Sequence, residues 1–414
     1  MSAAGGDSDA ARRARRPWLL ASVVVNLGLL GVFKYFNFFA GSLTTALGQL
    51  GIDAGLLRLD ITLPVGISFY TFQTMSYTID IYRGKLAPTR RFFDFALFVS
   101  YFPQLVAGPI ERASVLLPQI LSRRSFRRAQ LGDGLQLIFW GLFKKVYVAD
   151  NLAPVVDRVF AAPAPSGFDV LVGTYCFAFQ IYCDFSGYSD IARGLAKCMG
   201  MELRLNFDHP YVAANPSDFW RRWHVSLSSW LRDYLYISLG GNRGGSLRTY
   251  RNLCLTMLLG GLWHGAAWNF VLWGAYQGAL LVVHRLLAPL LPLARAAGSL
   301  LAAGGLHLLK VLLLFQCTCY GWLLFRARSM AQISTMTRAL VCWRGSADVS
   351  LLKPLARFAG PLLVLDILQH ASGTDDLHRL PGVPAAVKCI AYTGVFYLFA
   401  FYGASAQSFI YFQF

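Results

Sequence analysis

From Asn252 to His284 the chain reads NLCLTMLLGGLWHGAAWNFVLWGAYQGALLVVH, a stretch without any Asp, Glu, Lys or Arg. Such a stretch can cross a bilayer, since roughly twenty apolar residues span the hydrocarbon core. His264 lies in its middle, where an uncompensated imidazole costs on the order of a few kcal/mol. Ionisable groups at membrane depth mark functional sites by default, and imidazole carries protons near neutral pH. The stretch therefore predicts a membrane protein with a buried proton-transfer site at His264.

The composition of the whole chain extends this prediction beyond one segment. Of its 414 residues, 56% are hydrophobic and only 14% are charged, and the mean hydropathy is +0.47. Soluble proteins carry about 25% charged residues. The deficit of charge is spread along the sequence without a separable polar part. We therefore predict an all-α polytopic membrane protein, a helical bundle that includes re-entrant or interfacial helices.

The net charge of +17 does not indicate a nucleic-acid partner, because the basic residues stand in short bursts between apolar runs. Two such bursts lie at residues 12–16 and 123–128. This arrangement is typical of cytoplasmic loops near anionic lipid. We expect a basic cytoplasmic tail at residues 1–17, followed by one membrane-embedded domain at residues 18–414.

Apolar runs recur along the chain and predict about eight to ten membrane helices. The runs lie at residues 18–50, 61–82, 92–110, 131–160, 168–200, 251–290, 300–325, 354–370 and 385–410. Internal Pro and Gly residues, as in Leu63–Gly66 and Phe102–Gln104, predict broken or short helices. Lys144 and Lys145 are interpreted as anchors that extend towards the membrane interface from a helix end.

Residues 215–234 predict an amphipathic helix at the membrane interface. Asn215 is a good N-cap, and Pro216 suits the first helical position. A continuous helix would then bring four side chains to one apolar face. These are Trp220, His224, Leu227 and Leu231. His224 would point towards the protein core. A structural histidine, without a catalytic role, is the alternative reading of both His224 and His264.

Residues 180–190 form a polar strip within an apolar run. Carboxylates at membrane depth, here Asp184 and Asp190, usually line a polar cavity. A hydrogen-bond network that joins helices is the alternative reading. Ser186 lacks the G-x-S-x-G motif of a nucleophilic serine. The eight cysteines show no metal-ligand spacing, so we predict no metal site.

These motifs together resemble those of the membrane-bound O-acyltransferase family, particularly its bacterial AlgI-like branch for polysaccharide O-acetylation. The similarity covers nearly all residues from about 20 to 414. The stretches that carry it are Leu63–Phe69, Phe102–Ile110, Gln180–Asp190, Asp218–Leu227, Tyr234–Arg243, Gly261–Gly265 and Phe409–Phe414. Members of this branch generally begin with further hydrophobic spans, so one or more N-terminal helices of the family are expected to be missing here.

The resemblance implies a helical fold around a central tunnel, in a bacterial inner membrane, without a bound cofactor. An acyl thioester such as acetyl-CoA would reach the site from the cytoplasm. His264 would be the catalytic residue, and His224 a second motif histidine close to it. The acetyl group would pass towards hydroxyls of an exported, alginate-like exopolysaccharide, through a periplasmic or membrane-anchored partner protein. The candidates for substrate binding are Trp223, Trp263, Asp184, Ser186 and Asp190.

Two other functions remain open. D-alanyl transfer or peptidoglycan O-acyl transfer would use both histidines in the same way within the same family. A channel or transporter would instead use the polar strip and the histidines to line a permeation path.

Overall fold

The computed structural model describes residues 9–290, 300–373 and 382–410, except for residues 54, 56, 57 and 406. Within these ranges the chain is helical and contains no β-strand. Each of the nine predicted apolar runs contains a helix, which confirms the all-α prediction. Of the predicted tail, residues 1–8 lie outside the described residues, and residues 9–17 belong to the first helix. A cytoplasmic tail at residues 1–17 stays a prediction.

Two compact units make up the chain. The first unit comprises residues 1–132 and 195–204. Its helices are α1 (Asp9–Leu30), α2 (Phe36–Gln49), α3 (Ile67–Tyr82), α4 (Phe92–Ser100), α5 (Phe102–Leu105) and α6 (Ala113–Leu121). Its core is apolar, with Phe98 and Leu116 fully buried. The buried carboxylate of Glu111 accepts a hydrogen bond of 2.6 Å from the Arg204 amide.

The second unit comprises residues 133–194 and 205–414. It contains most of α7 (Arg128–Leu142), then α8 (Asp150–Ala161), most of α9 (Gly167–Cys198), α10 (Pro216–Arg222), α11 (Val225–Trp230), α12 (Ser246–His264), α13 (Trp268–Leu287), α14 (Leu300–Arg326), α15 (Met330–Cys342), α16 (Leu352–Ser372) and α17 (Ala385–Tyr402). Both histidines of interest belong to this unit.

Four segments of the described chain are long and apolar enough to span a membrane: residues 12–49, 268–287, 304–326 and 385–402. Segment 385–402, which is α17, has no buried residue although its composition is apolar. An apolar helix that leaves most of its surface exposed requires lipid or another apolar partner. The protein is therefore a membrane protein. Four is fewer than the eight to ten membrane helices expected, because many of the apolar runs are interrupted or carry charges.

The predicted continuous helix over residues 219–234 is wrong. The N-cap was predicted correctly, since the Asn215 side chain accepts a hydrogen bond of 2.9 Å from the Asp218 amide. However, α10 ends at Arg222 and a new helix, α11, starts at Val225. His224 stands between them with φ 43° and ψ 55°, a left-handed conformation that no α-helix contains. The break changes the direction in which His224 points.

Close packing of glycines holds α12 against α13. A Cβ atom on Gly261 would overlap the carbonyl oxygen of Phe270, and one on Gly274 would overlap that of Met257. Small residues at such positions let two helix backbones approach, as in many membrane proteins. This contact fixes α12, and so His264 at its C-terminal end, against α13.

Candidate active site

His264 is the last residue of α12 and is buried, with 6% of its surface exposed. Four aromatic rings surround it: one from the residue that precedes it in α12, and three from other parts of the chain. The ring centroids lie 5.0 Å away for Trp263, 5.2 Å for Trp273, 5.3 Å for Phe325 and 6.5 Å for His224. The two histidines predicted from sequence are therefore neighbours in the structure.

His224 is completely buried and caps the helix that follows it. Its Nδ1 accepts a hydrogen bond of 3.4 Å from the amide of Leu227, whereas its Nε2 has no hydrogen-bond partner among the described residues. His224 lies outside the four potential membrane spans, and burial lowers its pKa to about 3. The ring is thus neutral near pH 7, and the accepting Nδ1 assigns its proton to Nε2. Nε2 is a buried donor.

The unusual backbone at His224 is held by Asn206, which is fully buried. Asn206 Oδ1 accepts hydrogen bonds from the Ser226 hydroxyl at 2.9 Å and the Ser226 amide at 3.2 Å. The Asn206 carbonyl accepts a third, from the Val225 amide at 2.9 Å. A non-glycine residue in the left-handed region costs about 1–3 kcal/mol and persists only where its surroundings impose it. Asn206 supplies that constraint.

The two candidate tryptophans take different positions. Trp263 contacts both histidines, with its ring 5.0 Å from that of His264 and 6.0 Å from that of His224. Trp223 stacks on Phe219 at 5.7 Å and packs against Trp322 at 4.6 Å. Trp263 therefore lines the histidine pair directly, whereas Trp223 belongs to the aromatic layer beside it.

The polar strip of α9 divides between two ion-pair networks. Asp184 Oδ1 lies 2.6 Å from Lys145 Nζ, which also lies 2.7 Å from Asp150 Oδ1. Asp184 Oδ2 accepts a hydrogen bond of 2.6 Å from the amide of Ile410 in the C-terminal segment. In this network the polar strip connects helices through hydrogen bonds, as the alternative reading of the sequence predicts.

Asp190 belongs to the second network, since its carboxylate lies 2.8 Å from Lys144 Nζ and 3.2 Å from Arg193 Nη1. The interpretation of Lys144 and Lys145 as interfacial anchors is wrong, because both pair with buried or half-buried carboxylates. The reason is a π-helical segment, Phe143–Ala149, which directs the two lysines to different carboxylates of α9.

A cavity beside Asp190 contains about 560 Å³ of space free of protein atoms, part of which is open to solvent. Its polar lining consists of Lys144, Tyr182, Asp190, Arg193, His209, Asp366 and Gln369. The rings of Tyr182 and Phe207, which also line it, contact Trp223 at 6.3 and 5.0 Å. His224 and His264 are not part of this lining, so a tunnel that reaches His264 stays a prediction.

Ser186 is buried, and its hydroxyl has no hydrogen-bond partner within the described chain. Its neighbour Phe185 contacts one of the two histidines, with its ring 4.6 Å from that of His224. The sequence singled out the polar members of the strip and missed this apolar contact, because aromatic residues are common in membrane helices.

The geometry offers two adjacent imidazoles enclosed by aromatic rings and shielded from water. Nothing in the described ranges brings three or more His, Cys, Asp or Glu side chains into a group that could hold a metal. A buried imidazole can take a proton from a hydroxyl and return it to a leaving group. The arrangement is thus suited to general base chemistry on a substrate that enters between the rings.

Comparison with known proteins identifies the family. The sequence profile of the membrane-bound O-acyltransferase family matches residues 85–325, more than half of the chain. The chain belongs to this family. Both histidines and the whole polar strip lie within the matched range, so the resemblance found in the motifs is confirmed.

Several characterised or named proteins are similar to the chain. "Probable alginate O-acetylase AlgI" of Azotobacter vinelandii is 44% identical over 80% of this chain and 63% of its own length. "Peptidoglycan O-acetyltransferase" of Helicobacter pylori is 35% identical over 87% of this chain and 72% of its own. "Teichoic acid D-alanyltransferase" of Streptococcus thermophilus is 28% identical over 53% and 56%. The chain thus spans less than two thirds of the length of the Azotobacter relative.

Proposed function

We propose that this protein transfers an acyl group, most readily acetyl, from a thioester to hydroxyls destined for an exported polysaccharide. Membership of the O-acyltransferase family supports the reaction class, and the similarity to a probable alginate O-acetylase supports acetyl and polysaccharide. The observation that carries the proposal is the pair of buried imidazoles, with ring centroids 6.5 Å apart, within the range that the family profile matches.

His264 is the general base in the proposed reaction. It takes the proton of the acceptor hydroxyl as the oxygen attacks the thioester carbonyl carbon. The tetrahedral intermediate then collapses, the C–S bond breaks, and the departing thiolate takes the proton back from His264. The products are an ester and a free thiol, so atoms and charges balance without a covalent enzyme intermediate. General base assistance of this kind is worth about 10²–10⁴-fold.

His224 orients the acceptor in this scheme. Its Nε2–H is a buried donor that lacks a partner in the described structure, and a hydroxyl oxygen could accept from it. Trp263 would form a wall of the reaction site. Asp190, Ser186 and Asp184 remain candidates for substrate binding, with Asp190 best supported because it lines a cavity.

The donor and the setting are also part of the proposal. Acetyl-CoA, or another acyl thioester, would arrive from the cytoplasm, and a periplasmic or membrane-anchored partner would receive the acyl group or pass it on. A bacterial inner membrane with a cytoplasmic N-terminus agrees with the basic residues at 12–16, which stand at the N-terminal end of a segment apolar enough to span a membrane.

Replacement of His264 by Ala tests the proposal. Cells that lack the gene and express His264→Ala should carry about 10²–10⁴-fold fewer new ester-linked acyl groups on their surface glycans than cells with the unchanged protein. Mass spectrometry of those glycans measures the groups. His307→Ala is the matched control, because His307 is an exposed histidine on α14 and its loss should leave acylation unchanged.

The same spectra separate the alternative functions. Acetyl esters on peptidoglycan would support the function named for the Helicobacter relative, which the chain covers over 72% of its length. D-alanyl esters would support the function named for the Streptococcus relative. Full acylation by a His264→Ala protein that inserts normally would contradict acyl-transfer chemistry at this residue and favour a transport function.

A further inference from the structure

Two indole N–H groups near His264 are buried without a hydrogen bond. Trp273 is 1% exposed, and its Nε1 has no hydrogen-bond partner among the described residues. Nε1 of Trp220, whose ring centroid lies 5.9 Å from that of Trp273, is likewise buried and without a partner there. A buried indole N–H usually finds a partner, so two lone donors side by side indicate that something else accepts from them.

A third tryptophan of the same layer has the hydrogen bond that a buried indole N–H usually makes. The indole N–H of Trp322, whose ring stacks with that of Trp273 at 6.2 Å, donates to the Tyr211 hydroxyl at 3.1 Å. The layer can therefore satisfy an indole N–H from within the protein. Trp273 differs from Trp322 because its indole N–H lacks such a partner and its ring contacts His264, and Trp220 packs directly on Trp273.

Trp273 is in direct contact with that base. Its ring meets the His264 ring edge to face, with centroids 5.2 Å apart and an interplanar angle of 88°. A carbonyl group attacked by a hydroxyl that His264 deprotonates must lie within a few ångströms of the imidazole. A carbonyl group at that place would therefore also lie beside the Trp273 ring.

We propose that the indole N–H groups of Trp273 and Trp220 bind the acyl carbonyl oxygen and stabilise the oxyanion formed in the transfer. The inference rests on the proposed function, and it adds the groups that receive the developing negative charge. When the acceptor oxygen attacks, the π electrons of the C=O bond move to its oxygen, which becomes an oxyanion. The charge returns to re-form the C=O bond as the thiolate leaves, and the indoles keep their protons throughout.

This assignment gives each of the four buried side chains a separate role in the reaction. His264 handles the proton of the acceptor, His224 orients the acceptor oxygen, and the two tryptophans hold the carbonyl oxygen. Fixed donors in a water-excluded site stabilise an oxyanion strongly, because they need no reorganisation as the charge forms. The loss of one such donor typically lowers kcat by about 10²–10³-fold.

The test replaces the N–H of Trp273 by sulfur, through site-specific incorporation of 3-benzothienylalanine, which keeps the shape of the indole. The variant is expressed in cells that lack the gene, so that the cells supply the native donor and acceptor. The initial rate of formation of ester-linked acyl groups on surface glycans is measured per amount of protein in the membrane. We expect a loss of about 10²-fold.

Thermal stability in detergent distinguishes this role from a structural one. The change at Trp273 removes no hydrogen bond within the described protein, so the melting temperature should stay the same while activity falls. The same replacement at Trp322 is the matched control. It removes the bond to Tyr211, so it should lower the melting temperature but keep acylation within about twofold.

The results of the Trp273 and His264 variants together separate the oxyanion assignment from the proposed function. Wild-type acylation by the Trp273 variant, together with an inactive His264→Ala protein, would overturn the oxyanion assignment and leave the proposed function intact. Acylation that falls only in step with the melting temperature would also overturn it, since Trp273 would then act through packing. Acylation that survives in His264→Ala, or is absent even with the unchanged protein, would overturn the proposed function itself.

Discussion

Asn206 is the residue on which the conformation of His224 depends. It accepts two hydrogen bonds from Ser226 through Oδ1 and donates one to the Ser189 hydroxyl at 3.2 Å. Replacement by Ala would leave the buried Ser226 amide without this partner and the Ser226 hydroxyl with only its 3.5 Å contact to His224 Nδ1, at a cost of about 1–3 kcal/mol. The left-handed turn at His224 would also lose its constraint. We expect Asn206→Ala to lower both the melting temperature and the rate of acyl transfer, the rate by at least about tenfold.

Ser189→Ala is the matched control for this prediction. It removes only the bond from Asn206 Nδ2 and keeps both bonds to Ser226. We expect a smaller loss of stability and acylation close to that of the unchanged protein. Thermal unfolding in detergent and mass spectrometry of surface glycans measure the two effects. If Ser189→Ala impaired acylation as much as Asn206→Ala, the bonds to Ser226 would not be what positions His224.

Residues of the site could be predicted from sequence only where burial of the side chain in its local sequence surroundings costs free energy. His264 was found because imidazole is rare within uncharged apolar sequence, and His224 because it follows a recognisable helix start and matches a family motif. Asn206 lies in a segment without helical periodicity, where a polar residue is unremarkable. Sequence does not distinguish Trp273 from the other aromatic residues, because only the structure shows that its Nε1–H lacks a hydrogen-bond partner among the described residues.

At the scale of elements, the close contact of α12 with α13 determines where His264 lies. Gly261 belongs to the turn of α12 that precedes His264, and a Cβ atom there would overlap the Phe270 carbonyl of α13. Gly261→Ala would therefore separate the two helices, and overpacking of this kind costs about 1–3 kcal/mol. We expect a lower melting temperature and a marked loss of acylation, since a displacement of about 1 Å can cost 10²-fold in rate.

Gly394→Ala provides the comparison within the same protein. Gly394 lies inside α17, and a Cβ atom there would have no neighbour within 4 Å. Ala is the better helix former by about 1 kcal/mol, so this change should keep or raise stability and leave acylation intact. Melting curves in detergent and glycan acylation report both variants. Equal behaviour of the two would mean that the α12–α13 contact does not hold the site.

Helix positions were the most predictable feature of the fold, because apolar runs of sufficient length leave few alternatives in a membrane protein. The break between α10 and α11 was not predictable from periodicity. Residues 219–234 keep a helical pattern of apolar side chains, but the bonds of Asn206 to residues 225 and 226 impose a turn at His224. A tertiary contact overrides the local preference there.

At the scale of the whole described molecule, Lys145 joins parts of the chain that are far apart in sequence. Its ammonium group lies 2.7 Å from Asp150 Oδ1 and 2.6 Å from Asp184 Oδ1, and it donates to the Gln407 carbonyl at 3.1 Å. Asp184 in turn accepts from the Ile410 amide. The C-terminal segment is thus tied to α9, whose Phe185 packs on His224.

Lys145→Met keeps much of the apolar stem but removes the cation, which leaves two neighbouring carboxylates without their counter-charge. Removal of one partner from a buried ion pair costs about 3–5 kcal/mol. We therefore expect a large drop in melting temperature and faster proteolysis of the C-terminal segment, whereas Lys353→Met, at an exposed lysine of α16, should change neither.

In the double variant Lys145→Met, Asp184→Asn one uncompensated charge is gone, so part of the stability should return. A double variant that is less stable than Lys145→Met would show that the C-terminal segment depends on the Asp184 carboxylate itself, through its bond to Ile410, more than on the balance of charge.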